Sequence, residues 1–200
     1  MLDGISDNLD QNLARVENLV VTYETHPDAQ GSGRKPADLL DILRAAVVLL
    51  HASLEDMLRS LANWKLPAAD AQILDAVPLV GQGSNPKRFL LGELAAHRGK
   101  RVEDVLAESV REHLKQSNYN SVGEVASLLE SIKIKVAKVN SRFADLAELM
   151  ERRHQIVHRA DRQEKVKGSG DHEIRAINKN TVRTWAGAVK EFGAAVLAAV

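Results

Sequence analysis

From Glu151 to Asp161 the chain reads ERRHQIVHRAD, placing three arginines and two histidines within the eight positions from Arg152 to Arg159. An arginine fork is a permanent cation that grips a phosphate through two parallel hydrogen bonds. A histidine beside it titrates near neutrality and can take or give a proton. Arginine and histidine together therefore suit phosphate chemistry, and Arg153 and His158, five residues apart, are the candidate reacting pair.

The pattern around them is helical, and a helix turns about 100° per residue. On that wheel Met150, His154 and Val157 fall near one line, expected to be the core-facing stripe. Arg153 and His158 lie roughly 140° apart and flank the stripe on opposite sides. To meet at one ligand they need the helix to end or bend near His158, or a second copy of the chain. A two-fold dimer would set this helix beside its own mate and gather two Arg153 and two His158 in one cleft. Such a cleft suits RNA cleavage by transesterification. That reaction needs a base for the 2′-OH proton, an acid for the leaving 5′-oxygen and a cation for the charged transition state. No metal is required.

Other residues are candidates for support. His51, Glu55 and Arg59 follow at four-residue steps and share a helix face. They read either as a buried hydrogen-bonded row or ion pair, or as a device in which Glu55 orients Arg153 or His158. An acidic partner would raise a histidine pKa and hold an arginine rotamer. His154 is polar and can orient the phosphate or a partner chain. Arg152, Arg159 and Arg162 read as solvated cations favouring the helix C-terminus, or as RNA-backbone contacts flanking the pair; Asp161 can pair with one of them. His154 and His158 also have a helical metal-site spacing, but Gln155 stands where a zinc protease has Glu and no third ligand is near, so no metal is assigned. His97-Arg98-Gly99-Lys100-Arg101 reads as a solvated helix end. Gly81-Gln82-Gly83 lacks the strand and the lysine of a phosphate loop.

The elements that must position these residues are helices throughout. Leu9, Leu13, Val16, Leu19, Val20 and Tyr23 predict a first helix from Leu2 to Thr25. Pro36 opens a second helix running to about Trp64, apolar around most of its circumference and so the central one. Pro67, Pro78 and the run Gly81 to Pro86 break the middle, with short helices expected at 68–76, 88–97 and 102–115. Ser121, with Glu124 in the capping-box position, starts a helix to about Lys138. The Arg/His helix begins at Asn140 or Ser141 with the stripe Phe143, Leu146, Ala147, Met150 and Val157. A polar loop from Gln163 to Asp171 precedes a last helix capped by Asn180 or Thr181, which buries Trp185, Val189, Phe192 and Val196. The expected class is all-α, one domain over 1–200, with a helical insertion at 65–118 between the second and third long helices.

Composition bounds the rest. An apolar share of 44% can build a core without disulfides, and the chain has no cysteine for a disulfide or a thiolate. Strictly apolar runs such as Ala45 to Leu50 fall far short of the roughly 20 residues of a membrane span. Asp3, Asp7 and Asp10 near the start do not read as a secretory leader, so a cytoplasmic, membrane-free protein is expected. The 27 basic and 27 acidic residues cancel, which argues against a nucleic-acid coat protein. The charge is uneven, though: residues 1–60 carry five Arg/Lys against ten Asp/Glu, a net of −5, and residues 151–183 carry nine against five, a net of +4.

Three segments together resemble the HEPN superfamily, in particular its RiboL-PSP-type domain or a close relative from bacterial defence loci. They are ERRHQIVHRAD with its Arg-x4-His spacing, RAAVVLLHASLEDMLRSL (Arg44 to Leu61) and FLLGELAAHRGK (Phe89 to Lys100). The resemblance covers most of the chain. It implies a HEPN-like helical bundle, a homodimer with the motif at its interface, and a metal-independent endoribonuclease, without cofactor, that leaves a 2′,3′-cyclic phosphate. By position Arg153 and His158 would be catalytic. Many relatives carry Asn or Asp after the arginine, where this chain has His154. Family settings imply a toxin or antiviral defence effector acting on RNA, with an antitoxin or other regulatory protein as a further partner. The alternative is a non-catalytic helical dimer that binds RNA, nucleotide or a protein partner through the same basic cleft.

Overall fold

The computed structural model describes residues 1–31, 33, 35–81, 91–161 and 175–200. Apolar residues at three- and four-residue steps wind the chain into α1 (Leu2–Thr25), α2 (Ala37–Lys65), α3 (Ala71–Leu74), α4 (Val102–Lys115), α5 (Val122–Ser131), α6 (Phe143–Arg159) and α7 (Lys179–Ala198). Short 3-10 turns occupy Pro27–Ala29, Leu66–Ala68, Leu91–His97, Val136–Lys138 and Asn140–Arg142. Among the described residues there is no strand, so the class is all-α. No helix among them is long and apolar enough to cross a membrane.

Helix α2 is the axis. It packs against α1, α6 and α7, and α7 also packs against α1 and α6, so these four form a bundle. Leu43, Val47, Leu50, Leu54, Leu58 and Leu61 of α2 are fully buried. Val16 and Val20 of α1, Leu146 and Leu149 of α6, and Val189 and Phe192 of α7 join them in one core. Each such side chain contributes on the order of 2 kcal/mol by leaving water. Helices α1 and α7 pack tightly at Gly193, where a Cβ would lie 2.5 Å from Leu9 Cδ2.

The insertion covers one side of α2. Val105, Val110 and Leu114 of α4 are buried, and α4 packs on α2 and on the turn Leu66–Ala68. The helices expected at 68–76 and 88–97 are shorter: a single turn at α3 and a 3-10 segment Leu91–His97, with 82–90 outside the described residues. Helix α5 ends at Ser131, not near Lys138. Ile132 and Ile134 are both buried, and on a continuing helix residues two apart would lie roughly 200° apart, toward opposite sides. The chain instead turns at Lys133, with φ 65°, and the Ile134 amide donates to the Leu129 carbonyl at 2.8 Å. The capping box at Ser121 and Glu124 is present as expected. Helix α7 starts slightly early, capped by Asn178, whose side chain accepts the Asn180 amide at 2.8 Å.

Candidate functional site

Helix α6 faces the core with Leu146, Leu149, Met150 and Arg152, and Ile156 packs against the core beside them. Ala147, His154, Val157 and His158 are exposed. The expected inward stripe through Ala147, His154 and Val157 is therefore corrected, because the inward face leans toward Leu149, Arg152 and Ile156. The cause is polar. Arg152 reaches inside to Asp161, where Nη2 meets Oδ2 at 2.7 Å, so the last turns lean on Arg152 and Ile156 while Val157, in line with the buried Met150, is left uncovered.

With Val157 and His154 uncovered, the surroundings of the two candidate residues differ from expectation. Helix α6 continues through His158 and ends at Arg159. Arg153 and His158 no longer flank a buried stripe; they border one outer face. Between them lie His154 and Val157, the latter 48% exposed. The His154 and His158 rings approach with centroids 4.7 Å apart and planes tilted by 43°.

Arg153 is half-buried, and its Nη1 donates to Asn120 Oδ1 at 3.2 Å. Asn120 in turn is placed by the row on α2. Arg59 donates to the carbonyls of Leu114 at 3.2 Å and Ser117 at 3.1 Å, tying down the end of α4. Glu55 accepts the Tyr119 amide at 3.2 Å, and His51 Nε2 lies 3.1 Å from the Tyr119 carbonyl. Tyr119, the residue before Asn120, is thus held at both its N–H and its C=O. Glu55 bonds this segment and not Arg153 itself. The structure shows the hydrogen-bonded row, and its bonds go to the segment that carries Asn120.

His51 is 1% exposed, and burial pushes its pKa below the ordinary histidine value. Glu55, with Oε2 3.9 Å from Nδ1, opposes this, Arg153 adds to the depression, and the bond to Tyr119 opposes it more weakly. The Tyr119 phenol is pushed up to about 12 by burial, so it stays neutral at physiological pH.

Arg152 is corrected as a surface cation or RNA contact. It is 7% exposed, and beyond Asp161 it donates to the carbonyls of Arg175 and Ala176, each at 3.2 Å. Arg159 is exposed in the last turn of α6. Arg162 lies outside the described residues. No group of three metal-ligating side chains occurs among the described residues.

Two participants had no signal in spacing. Asn120 is 33 positions from Arg153 in the chain, and Arg44 is 117 from Asp161. Comparison with protein-family models, curated proteins and solved structures finds no match to this chain.

Proposed function

We propose that this chain is a HEPN-type, metal-independent endoribonuclease that cleaves RNA by 2′-OH transesterification, with Arg153 and His158 as its catalytic residues. The observation that carries this reading is the outer face of α6, where an anchored arginine and two adjacent imidazoles surround an exposed valine. Arg153 would grip the scissile phosphate in a bidentate manner and stabilise the charge that builds there. His158 would exchange the proton of the 2′-OH or of the leaving oxygen. His154, next to it, would orient the phosphate. A second copy seated on Val157 would supply the complementary acid or base and exclude water.

The test is cleavage of mixed RNA in the presence of EDTA, with the ends of the products examined. Wild-type protein is expected to cut and leave 2′,3′-cyclic phosphates. Arg153→Ala and His158→Ala, verified as folded by circular dichroism, are each expected to lose about 100-fold or more. Undiminished cutting in both variants overturns the assignment, and a protein that stays monomeric at micromolar concentration overturns the shared cleft. The exposed Val157 also favours a second reading, a contact surface for RNA or protein without chemistry, which binding without cutting would select.

A further inference from the structure

The last turn of α6 is tied down by a buried charge cluster. Asp161 is 0% exposed, and its Oδ2 accepts from Arg44 Nε and Arg152 Nη2, both at 2.7 Å. Its Oδ1 is buried with no hydrogen-bond partner among the described residues. Arg44 also donates to Asp41 at 2.9 Å and to the Arg175 carbonyl at 3.0 Å, while the Arg175 amide donates to the Asp161 carbonyl at 2.9 Å. One carboxylate thereby joins α2, the end of α6 and the segment entering α7.

The backbone at this point is unusual. Ala160 and Asp161 both take left-handed conformations, with φ of 48° and 56°, and both their amides point to the Gln155 carbonyl. Glycine normally ends a helix this way, because a Cβ is disfavoured there. Here an alanine and an aspartate hold the conformation, so the surroundings must impose it. Burying a charged cluster is a poor route to stability and a good one to a single defined arrangement. What it defines is the turn carrying His158, three residues upstream.

We propose that Asp161 is a positioning residue. Through Arg44 and Arg152 it fixes the end of α6 so that His158 stands beside His154 on the face bearing Arg153. As regards catalysis, this rests on the ribonuclease reading above; as regards geometry, it does not.

The test uses histidine-labelled protein and two readouts. In wild type the imidazole protons of His154 and His158 should show a through-space NMR contact, assigned with His158→Gln. In Asp161→Asn, which keeps the shape and removes the charge, that contact should vanish well below the melting temperature. RNA cleavage should fall about tenfold or more through kcat with little change in KM, because a small misplacement at the reacting centre is enough. Arg152→Lys keeps the charge but lacks the fork that holds Asp161 and two carbonyls together. It should behave alike and serves if Asp161→Asn does not fold. Val196→Ala, a core change at the opposite end of α7, controls for destabilisation and should leave the ring contact intact. A contact absent from wild type, preserved in both clamp variants, or lost equally in Val196→Ala overturns the proposal. A wild-type protein that shows the contact but does not cut RNA overturns only the ribonuclease reading.

Discussion

Acidification through the range where histidine titrates should weaken the fold at His51. In the unfolded chain this side chain takes up its proton near the ordinary pKa of 6.5. In the folded chain burial disfavours the imidazolium and Arg153 repels it, with Glu55 and the Tyr119 carbonyl opposing only in part. The unfolded state therefore binds the proton first. The contribution of a neutral His51 is complete above about pH 6.5 and is lost as pH falls toward the depressed folded pKa. A single proton limits the slope to about 1.4 kcal/mol per pH unit. His51→Gln removes the titration and keeps an N–H donor for the Tyr119 carbonyl, so its pH-independent cost should be about 1 kcal/mol. The stability gap between wild type and His51→Gln should then narrow steadily as pH falls below 6.5.

Urea unfolding followed by the fluorescence of Trp64 and Trp185, at half-unit steps from pH 5 to 8, measures that gap. The window avoids the most strongly shifted carboxylate. Glu24, whose hydrogen bonds to Arg183 and Lys179 hold it down to about 2 from 4.5, contributes stability that is lost only below about pH 4.5. A gap that stays flat from pH 8 to 5, or widens toward acid, refutes the placement of a neutral histidine behind Arg153. The same titration bears on the site. A protonated His51 would put a second cation beside Arg153 and charge the ring that meets the peptide before Asn120.

Two further outcomes concern the backbone. Ala160→Gly relieves a Cβ at φ 48° and should stabilise the protein by about 1 kcal/mol, raising Tm by about 2–4 °C; a lowered Tm in differential scanning fluorimetry would contradict the left-handed cap. In α7, Gly187→Ala enters open space and should gain up to about 1 kcal/mol of helix propensity. Gly193→Ala should instead lose about 1 kcal/mol net, because its Cβ would lie 2.5 Å from Cδ2 of the buried Leu9; equal Tm gains in the two variants would rule out the close approach of α1 and α7.

The helices were legible because most inward positions are apolar and recur at the helical period. The apolar run of α2 places it at the centre, and the buried row Trp185, Val189, Phe192 and Val196 orients α7 as its spacing predicts. The facing of α6 was not legible, for a reason residing in Arg152. A helical wheel assumes that charged residues face water, and that holds unless a buried partner waits inside. Arg152 has one in Asp161, but the cluster also needs Arg44, 117 positions from Asp161, and no local pattern announces such a pair. With Arg152 and Ile156 holding the last turns to the core, Val157 and His154 are left uncovered, although Met150 in line with Val157 is buried. The consequence reaches the chemistry. Flanking a buried stripe, Arg153 and His158 could meet only through a bend or a second chain. Bordering one exposed face of a helix that continues to Arg159, they remain roughly 140° apart, so the proposed ribonuclease cleft depends on the second chain. The motif's spacing thus indicates which residues could react, and the buried salt bridge beneath them decides which way they point.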